Sequence, residues 1–321
     1  MNKPKTTFKD AIRDALEEEM ERDERIIILG EDVLGYEKQS TLEGFEEKFP
    51  GRILNRIPLV EDMLGGIGLG MNLGGLKPVI QMDYSTFITL GLHDIYRLGN
   101  WRYRMAEKEG PGVVLRIGHG GYGGGGAEFD ASLLGTIFHL PNLWIAAPAT
   151  PYHAKGLLKT ALRANRPVIF FENKAIYQKS AWVPEEEYTV PFGTSSVYKS
   201  GKDITLIAWS FMTHLAMRAA ARLGQEGIEP EVIDLATLHP MDMKTIMESV
   251  RKTGRAVIVE EDMLRGGIGA EISAQIAEAL PGCKIKRIAS KNVPLAVREK
   301  GKFILPTTED IIAACLNILK A

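Results

Sequence analysis

A chain of 321 residues, 45% of them hydrophobic, is long enough to bury two cores and needs no disulfide or metal staple. Its 39 basic and 41 acidic residues leave a formal charge of -2 with no dominant block of one sign, which argues against a nucleic-acid or anionic-membrane binder and leaves small molecules and proteins as partners. Cys283 and Cys315 are far apart with no CxxC or Cys/His cluster, so neither a zinc site nor a disulfide framework is expected, and a reducing cytoplasm fits.

The N-terminal stretch "MNKPKTTFKDAIRDALEEEMERDER" is charged and acid-rich, unlike a secretory signal or a transit peptide. No later stretch approaches about 18 uninterrupted apolar residues, so a soluble, unprocessed chain is expected. Phe8, Ala11, Ile12, Ala15, Leu16 and Met20 fall at helical spacing, with Thr7 and Asp10 placed as a cap, which predicts a first amphipathic helix. Apolar runs of strand length follow at 25–30, 77–82, 112–117, 143–148 and 167–172, separated by stretches of helical length. This alternation predicts a parallel sheet covered by helices on both faces. Residues 175–202 lose the rhythm, carrying two prolines, two glycines and three consecutive glutamates, and a linker is placed at 181–202. A second alternating set follows, with strands at 203–209, 230–235, 255–261 and 284–288. Its helices run through 217–223, near 242–252, after Gly269 and from about Thr308. The expected fold is α/β in two domains, 1–180 and 203–321, each a mostly parallel sheet flanked by helices.

Several chemistries lack their signatures: there is no HExxH, GxSxG or GxxxxGK[ST], and the six histidines are scattered. The run "GHGGYGGGG" at 118–126 matches GxGxxG by being nearly all glycine. The acid that a dinucleotide site needs about 20 residues on is missing, since no Asp or Glu occurs from Ala131 to Phe171. The run then reads either as a loop whose backbone approaches a cofactor or as a plain surface loop.

The stretch "PLVEDMLGGIGLGMNLGG" at 58–75 places Glu61 and Asp62 ahead of six glycines. Each internal glycine costs a helix about 1 kcal/mol against alanine, so a close approach by another backbone is the expected compensation. Glu61 is either ordinary helix N-terminal decoration or a carboxylate held in a poorly solvated place, where burial and the helix dipole pull its pKa in opposite directions.

The ordered segments "IILGEDV", "PLVEDMLGGIGLGMNLGGLKPVIQM", "PATPYHAKGLLKTALRANRPVIFFENKAIY", "VIDLATLHPMD" and "VIVEEDMLRGGIGAEI" resemble the β subunit of thiamine-diphosphate-dependent 2-oxo acid dehydrogenases, a group within the transketolase-like superfamily. The resemblance runs from about Phe8 to Leu319. It implies a pyrimidine-binding domain followed by a transketolase C-terminal-like domain, and an oxidoreductase that decarboxylates a 2-oxo acid and passes the acyl group to a lipoyl-bearing acyltransferase core. Glu61 matches the glutamate that hydrogen-bonds the aminopyrimidine ring of thiamine diphosphate and drives the proton transfer that opens the reaction. Phe87 matches an aromatic residue against that ring, and Leu59 is a third implied cofactor contact. The family packs its glycine-rich helix at a subunit interface.

No GDG motif is present, so the resemblance assigns the diphosphate and its magnesium to a separate α subunit in an α2β2 assembly. It also suggests potassium near "LWIAAPATP". Where the family reads "AQHSQS", this chain reads "AEFDAS", and the acyl-transfer histidine position is Phe129. That leaves three readings open: His119 substitutes, another acyl acceptor is used, or the chain is a divergent paralogue. The alternatives carried forward are the C-terminal half of a split transketolase-like enzyme and a non-catalytic scaffold. Glu260 and Glu261 are expected to make subunit and core-complex contacts.

Overall fold

The computed structural model describes residues 5–31, 33–34, 40–55, 57–107 and 109–320, with the backbone alone at Glu299. Asp32, within the "IILGEDV" segment, lies outside the described residues. The chain forms two compact units: Met1–His119 with Leu140–Phe192, and Gly120–His139 with Gly193–Ala321.

In chain order the elements up to the end of the first unit are β1 (Lys5–Thr7), α1 (Phe8–Arg22), β2 (Ile26–Gly30), α2 (Phe45–Lys48), β3 (Ile53–Leu54), α3 (Glu61–Leu73), β4 (Lys77–Met82), α4 (Leu92–Arg104), β5 (Val114–His119), α5 (Leu134–Phe138), β6 (Trp144–Ala146), α6 (Pro151–Arg163), β7 (Val168–Asn173) and β8 (Ser180–Trp182). Of these, α5 belongs to the second unit. The expected first helix forms with Thr7 as its N-cap, Oγ1 accepting the Asp10 N–H at 3.0 Å, and its apolar stripe is buried. The first unit's parallel strands run β6-β7-β5-β4-β2-β3. β5 and β7 are buried at every position, which is why they read as continuous apolar runs rather than alternating ones. Because the strands are parallel, the segments that follow them all gather at the carboxyl edge of the sheet, where α/β folds hold ligands.

The second unit continues with β9 (Ser196–Lys199), β10 (Ile204–Ala208), α7 (Phe211–Gln225), β11 (Pro230–Asp234), β12 (Thr237–His239), α8 (Met243–Thr253), β13 (Arg255–Met263), α9 (Ile268–Ala279), β14 (Lys284–Ser290) and α10 (Thr308–Lys320). Its sheet order is β14-β13-β10-β11-β9, parallel except for the antiparallel edge strand β9. α8 stops at Gly254, whose φ of 67° is the left-handed cap that glycine adopts without strain.

The boundary between the units, Phe192 to Gly193, falls inside the stretch 181–202 placed as a linker. That stretch nonetheless carries structure of its own. β8 pairs with β1, and Glu187 forms ion pairs with Lys159 and Arg163 of α6. Tyr188 stacks on Tyr152 with ring centroids 4.8 Å apart, and Val190 N–H donates to the Gly156 carbonyl at 3.1 Å. The glutamate run looks like solvated linker in sequence because the cations that pair with it lie more than twenty residues earlier. Gly120–His139, placed within 1–180 from the sequence, packs with the second unit. Among the described residues, no helix is long and apolar enough to cross a membrane.

Candidate active site

Glu61 is the first residue of α3 and is half-buried. No side chain of its own neighbourhood caps the helix. Glu31, just beyond β2, supplies the carboxylate that accepts the Val60 N–H at 2.7 Å. Two glycine contacts fix the start of α3 against α4. A Cβ at Gly91 would lie 2.6 Å from the Glu61 carbonyl oxygen, and one at Gly65 would lie 2.8 Å from Asp94 Cβ. The Gly66 N–H donates to Asp94 Oδ2 at 2.8 Å. Farther along, Gly68 turns toward Ile80 and Val113, whereas Gly70 faces open space. The close approach inferred from the sequence is therefore made by this chain's own helix and sheet at Gly65, Gly66 and Gly68.

Phe87 lies in the 3-10 turn Ser85–Thr89, directly after which Leu90 leads into Gly91, the residue that abuts Glu61. Its ring meets Tyr84 edge-on at 5.7 Å, and Lys174 Nζ lies 3.6 Å from the Tyr84 ring centroid. Leu59 is 76% exposed. The three residues implied as cofactor contacts thus belong to segments that meet at one edge of one sheet: a carboxylate at a helix start, a half-buried aromatic ring and an accessible aliphatic side chain.

His119 departs from expectation. It is the last residue of β5 rather than part of a loop, and it is 1% exposed, edge-on to Phe171. Neither ring nitrogen has a partner among the described residues. Burial, helped by the charge of Lys174, pushes its pKa down to about 3. The imidazole is neutral near pH 7 and is poorly suited to pass protons there.

The glycine run is likewise not a free loop. The Gly121 N–H donates to Glu261, the Gly135 N–H to Asp262 Oδ2 at 2.7 Å, and the Tyr122 hydroxyl to the Pro306 carbonyl at 2.6 Å. Tyr122 also packs edge-on to Phe211 at 4.6 Å. Asp130 folds back to accept the Gly125 N–H, and Phe129 remains 42% exposed. Glu260, fully buried, accepts the Gly269 N–H at the start of α9 with both oxygens. Glu260 and Glu261 are therefore internal tethers, not a contact surface as expected. They read as surface acids because the backbone N–H groups they satisfy are remote or presented by glycine. Burial raises the Glu260 pKa to about 8 and that of Asp262 to about 6. Glu31, Asp94 and the Tyr122 anchor escaped the sequence reading; only the position of Glu31 at a strand's carboxyl end signalled its use.

Comparison with known proteins gives this geometry a family. Residues 4–179 match the family model "Transketolase, pyrimidine binding domain", and 193–311 match "Transketolase, C-terminal domain". The chain is 35% identical, over 98% of both sequences, to the acetoin:2,6-dichlorophenolindophenol oxidoreductase subunit beta of Cupriavidus necator. It is 37% identical, over 90% of both, to the 2-oxoisovalerate dehydrogenase subunit beta of Bacillus subtilis, and 34% identical, over 98% of both, to that organism's pyruvate dehydrogenase E1 component subunit beta.

The chain belongs to the β subunits of the 2-oxo acid dehydrogenases.

These β subunits are components of oxidoreductases acting on 2-oxo acids, and the pyrimidine-binding domain ties them to thiamine diphosphate. A solved structure described as "Split gene transketolase, inactive beta4 tetramer" covers 99% of both chains with a TM-score of 0.81 at 24% identity, a likeness of fold.

Proposed function

We propose that this chain is the β subunit of a thiamine-diphosphate-dependent 2-oxo acid dehydrogenase, holding the aminopyrimidine half of the cofactor while a separate α subunit holds the diphosphate and its magnesium. The observation that carries this reading is Glu61, half-buried at the start of a helix whose first turns are gripped by Gly91 and Asp94 at the carboxyl edge of a parallel sheet. When bound, thiamine diphosphate supplies the carbon nucleophile and electron sink for decarboxylation. Glu61 accepts a hydrogen bond from the ring and thereby fixes which ring nitrogen can take a proton. Phe87, edge-on to Tyr84, would offer its ring to the aminopyrimidine, and Leu59 would shield that ring's edge from water.

The need for a partner is supported by a set of exposed apolar side chains around the site. Leu59, Met63 and Leu73 on and before α3, with Leu90, Tyr96 and Tyr103 around α4, each exceed 45% exposure. An apolar set of this extent on one helix pair marks a covered surface in the assembled protein. The acyl group passes to a lipoyl carrier on an acyltransferase core, and the potassium implied for "LWIAAPATP" would be held at the turn between β6 and α6.

Purification of the chain under native conditions tests the assembly. The expected result is a stoichiometric α subunit carrying a GDG motif, with thiamine diphosphate retained and a 2-oxo acid such as pyruvate or 2-oxoisovalerate decarboxylated. A chain that recovers only itself and binds no thiamine diphosphate contradicts the reading.

A further inference from the structure

Asp94 carries no motif, yet it meets the glycine-bearing face of α3 at two places. Its Cβ occupies the space a side chain at Gly65 would need, and its Oδ2 accepts the Gly66 N–H at 2.8 Å. The carboxylate is nearly buried, and its other oxygen pairs with Arg97 at 3.3 Å, so its orientation is fixed from both sides. One turn earlier on the same segment, Gly91 lets the backbone approach the carbonyl of Glu61 itself. The start of α4 therefore holds the start of α3 through a steric contact and a charge-assisted hydrogen bond, and both depend on residues lacking a side chain. A helix that bore alanine at 65 and 66 would be stabler in isolation by about 1 kcal/mol per position, yet it could not receive Asp94.

We infer that Asp94 is the positioning residue for Glu61, setting the depth and direction from which that carboxylate meets the aminopyrimidine ring. The inference rests on the reading of Glu61 given above. A carboxylate that must form one short hydrogen bond to a planar ring tolerates little displacement, and misplacement of about 1 Å can cost on the order of 100-fold in rate.

The test compares Asp94→Leu, which keeps the shape and removes the acceptor, with Asp94→Asn, which keeps an acceptor oxygen. Hydrogen exchange of the 61–73 backbone is measured on the chain alone, and thiamine diphosphate affinity on the α-paired complex. The expected result is exchange at 61–66 at least 10-fold faster and affinity at least 10-fold weaker for Asp94→Leu, with Asp94→Asn restoring most of both. Should Asp94→Leu not fold, Gly66→Ala, whose methyl would lie 2.8 Å from Oδ2, takes its place and should likewise weaken cofactor binding. The inference is overturned if the tested variant leaves both quantities at the unsubstituted level, or if Asp94→Asn is as damaged as Asp94→Leu. Glu61→Gln, run in parallel, separates the two claims. An undiminished rate there removes the proposed role of Glu61, while the exchange measurement still reports on whether Asp94 holds α3.

Discussion

Phe129 occupies the position where the resemblance implies an acyl-transfer histidine, and its ring is exposed on a segment tethered by Asp130, Glu261 and Asp262. The tethering means that position 129 is presented on ordered backbone, so an imidazole placed there would be held in one place. Phe129→His should raise the ratio of lipoyl-domain acylation to carbon dioxide release by about 100-fold, the lower range for a positioned acid-base group. An unchanged ratio would show that this chain uses another route for its acyl group. Glu260 makes a separate prediction. Its pKa is raised from the ordinary 4.5 to about 8, so the folded chain binds the proton more tightly than the unfolded chain. Stability therefore falls as pH rises between those values, and the cost is fully present only above about pH 8. Glu260→Gln keeps an acceptor for Gly269 and carries no charge. Its stability relative to the unsubstituted chain should improve from pH 5 to pH 8 by on the order of 2 kcal/mol, read from urea midpoints at the two pH values. A pH-independent difference would contradict the assignment.

At the scale of elements, the glycine helix α3 separates into positions with different reasons for lacking a side chain. Gly68 would place a methyl 2.6 Å from Ile80 Cδ1 and 3.2 Å from a Val113 methyl, so Gly68→Ala should destabilise the chain by about 1–3 kcal/mol through overpacking. Gly70 meets nothing within 4 Å, so Gly70→Ala should stabilise the isolated chain by about 1 kcal/mol. If a partner subunit covers that face, the same substitution should weaken assembly. Thermal unfolding of the chain alone, set beside a titration with its α subunit, reads both effects. The sequence showed that a cost was being met in α3, because repeated glycine against helix propensity is visible locally. It could not show which glycine faces α4, since Asp94 lies 28 residues beyond Gly66.

Across the whole molecule, what was legible follows from how each signal arises. Strands such as β5 and β7 read correctly because burial on both faces leaves a continuous apolar run, and α1 read correctly because its cap and stripe are local. The packing of Gly120–His139 with the second unit was not legible because the groups that hold it are distant: Glu261 is 140 residues from Gly121, and the carbonyl accepting from Tyr122 is 184 residues away. The same distance hid the buried role of Glu261, whereas that of Glu260 was hidden because its partner is a backbone N–H of Gly269, nine residues on, which leaves no side-chain signal. His119 misled for a related reason, since a histidine beside glycines reads as loop until the pairing of β5 with β7 is seen to extend through it to Asn173.

Glu61 is proposed as the carboxylate that accepts a hydrogen bond from the aminopyrimidine ring of thiamine diphosphate and so directs where the ring is protonated. The most direct test of that role is carbon dioxide release from a 2-oxo acid by the α-paired complex carrying Glu61→Gln, at saturating cofactor and with cofactor occupancy measured on the same sample. A fall of roughly 100-fold or more with thiamine diphosphate still bound is the predicted result. A rate equal to that of the unsubstituted complex would contradict it.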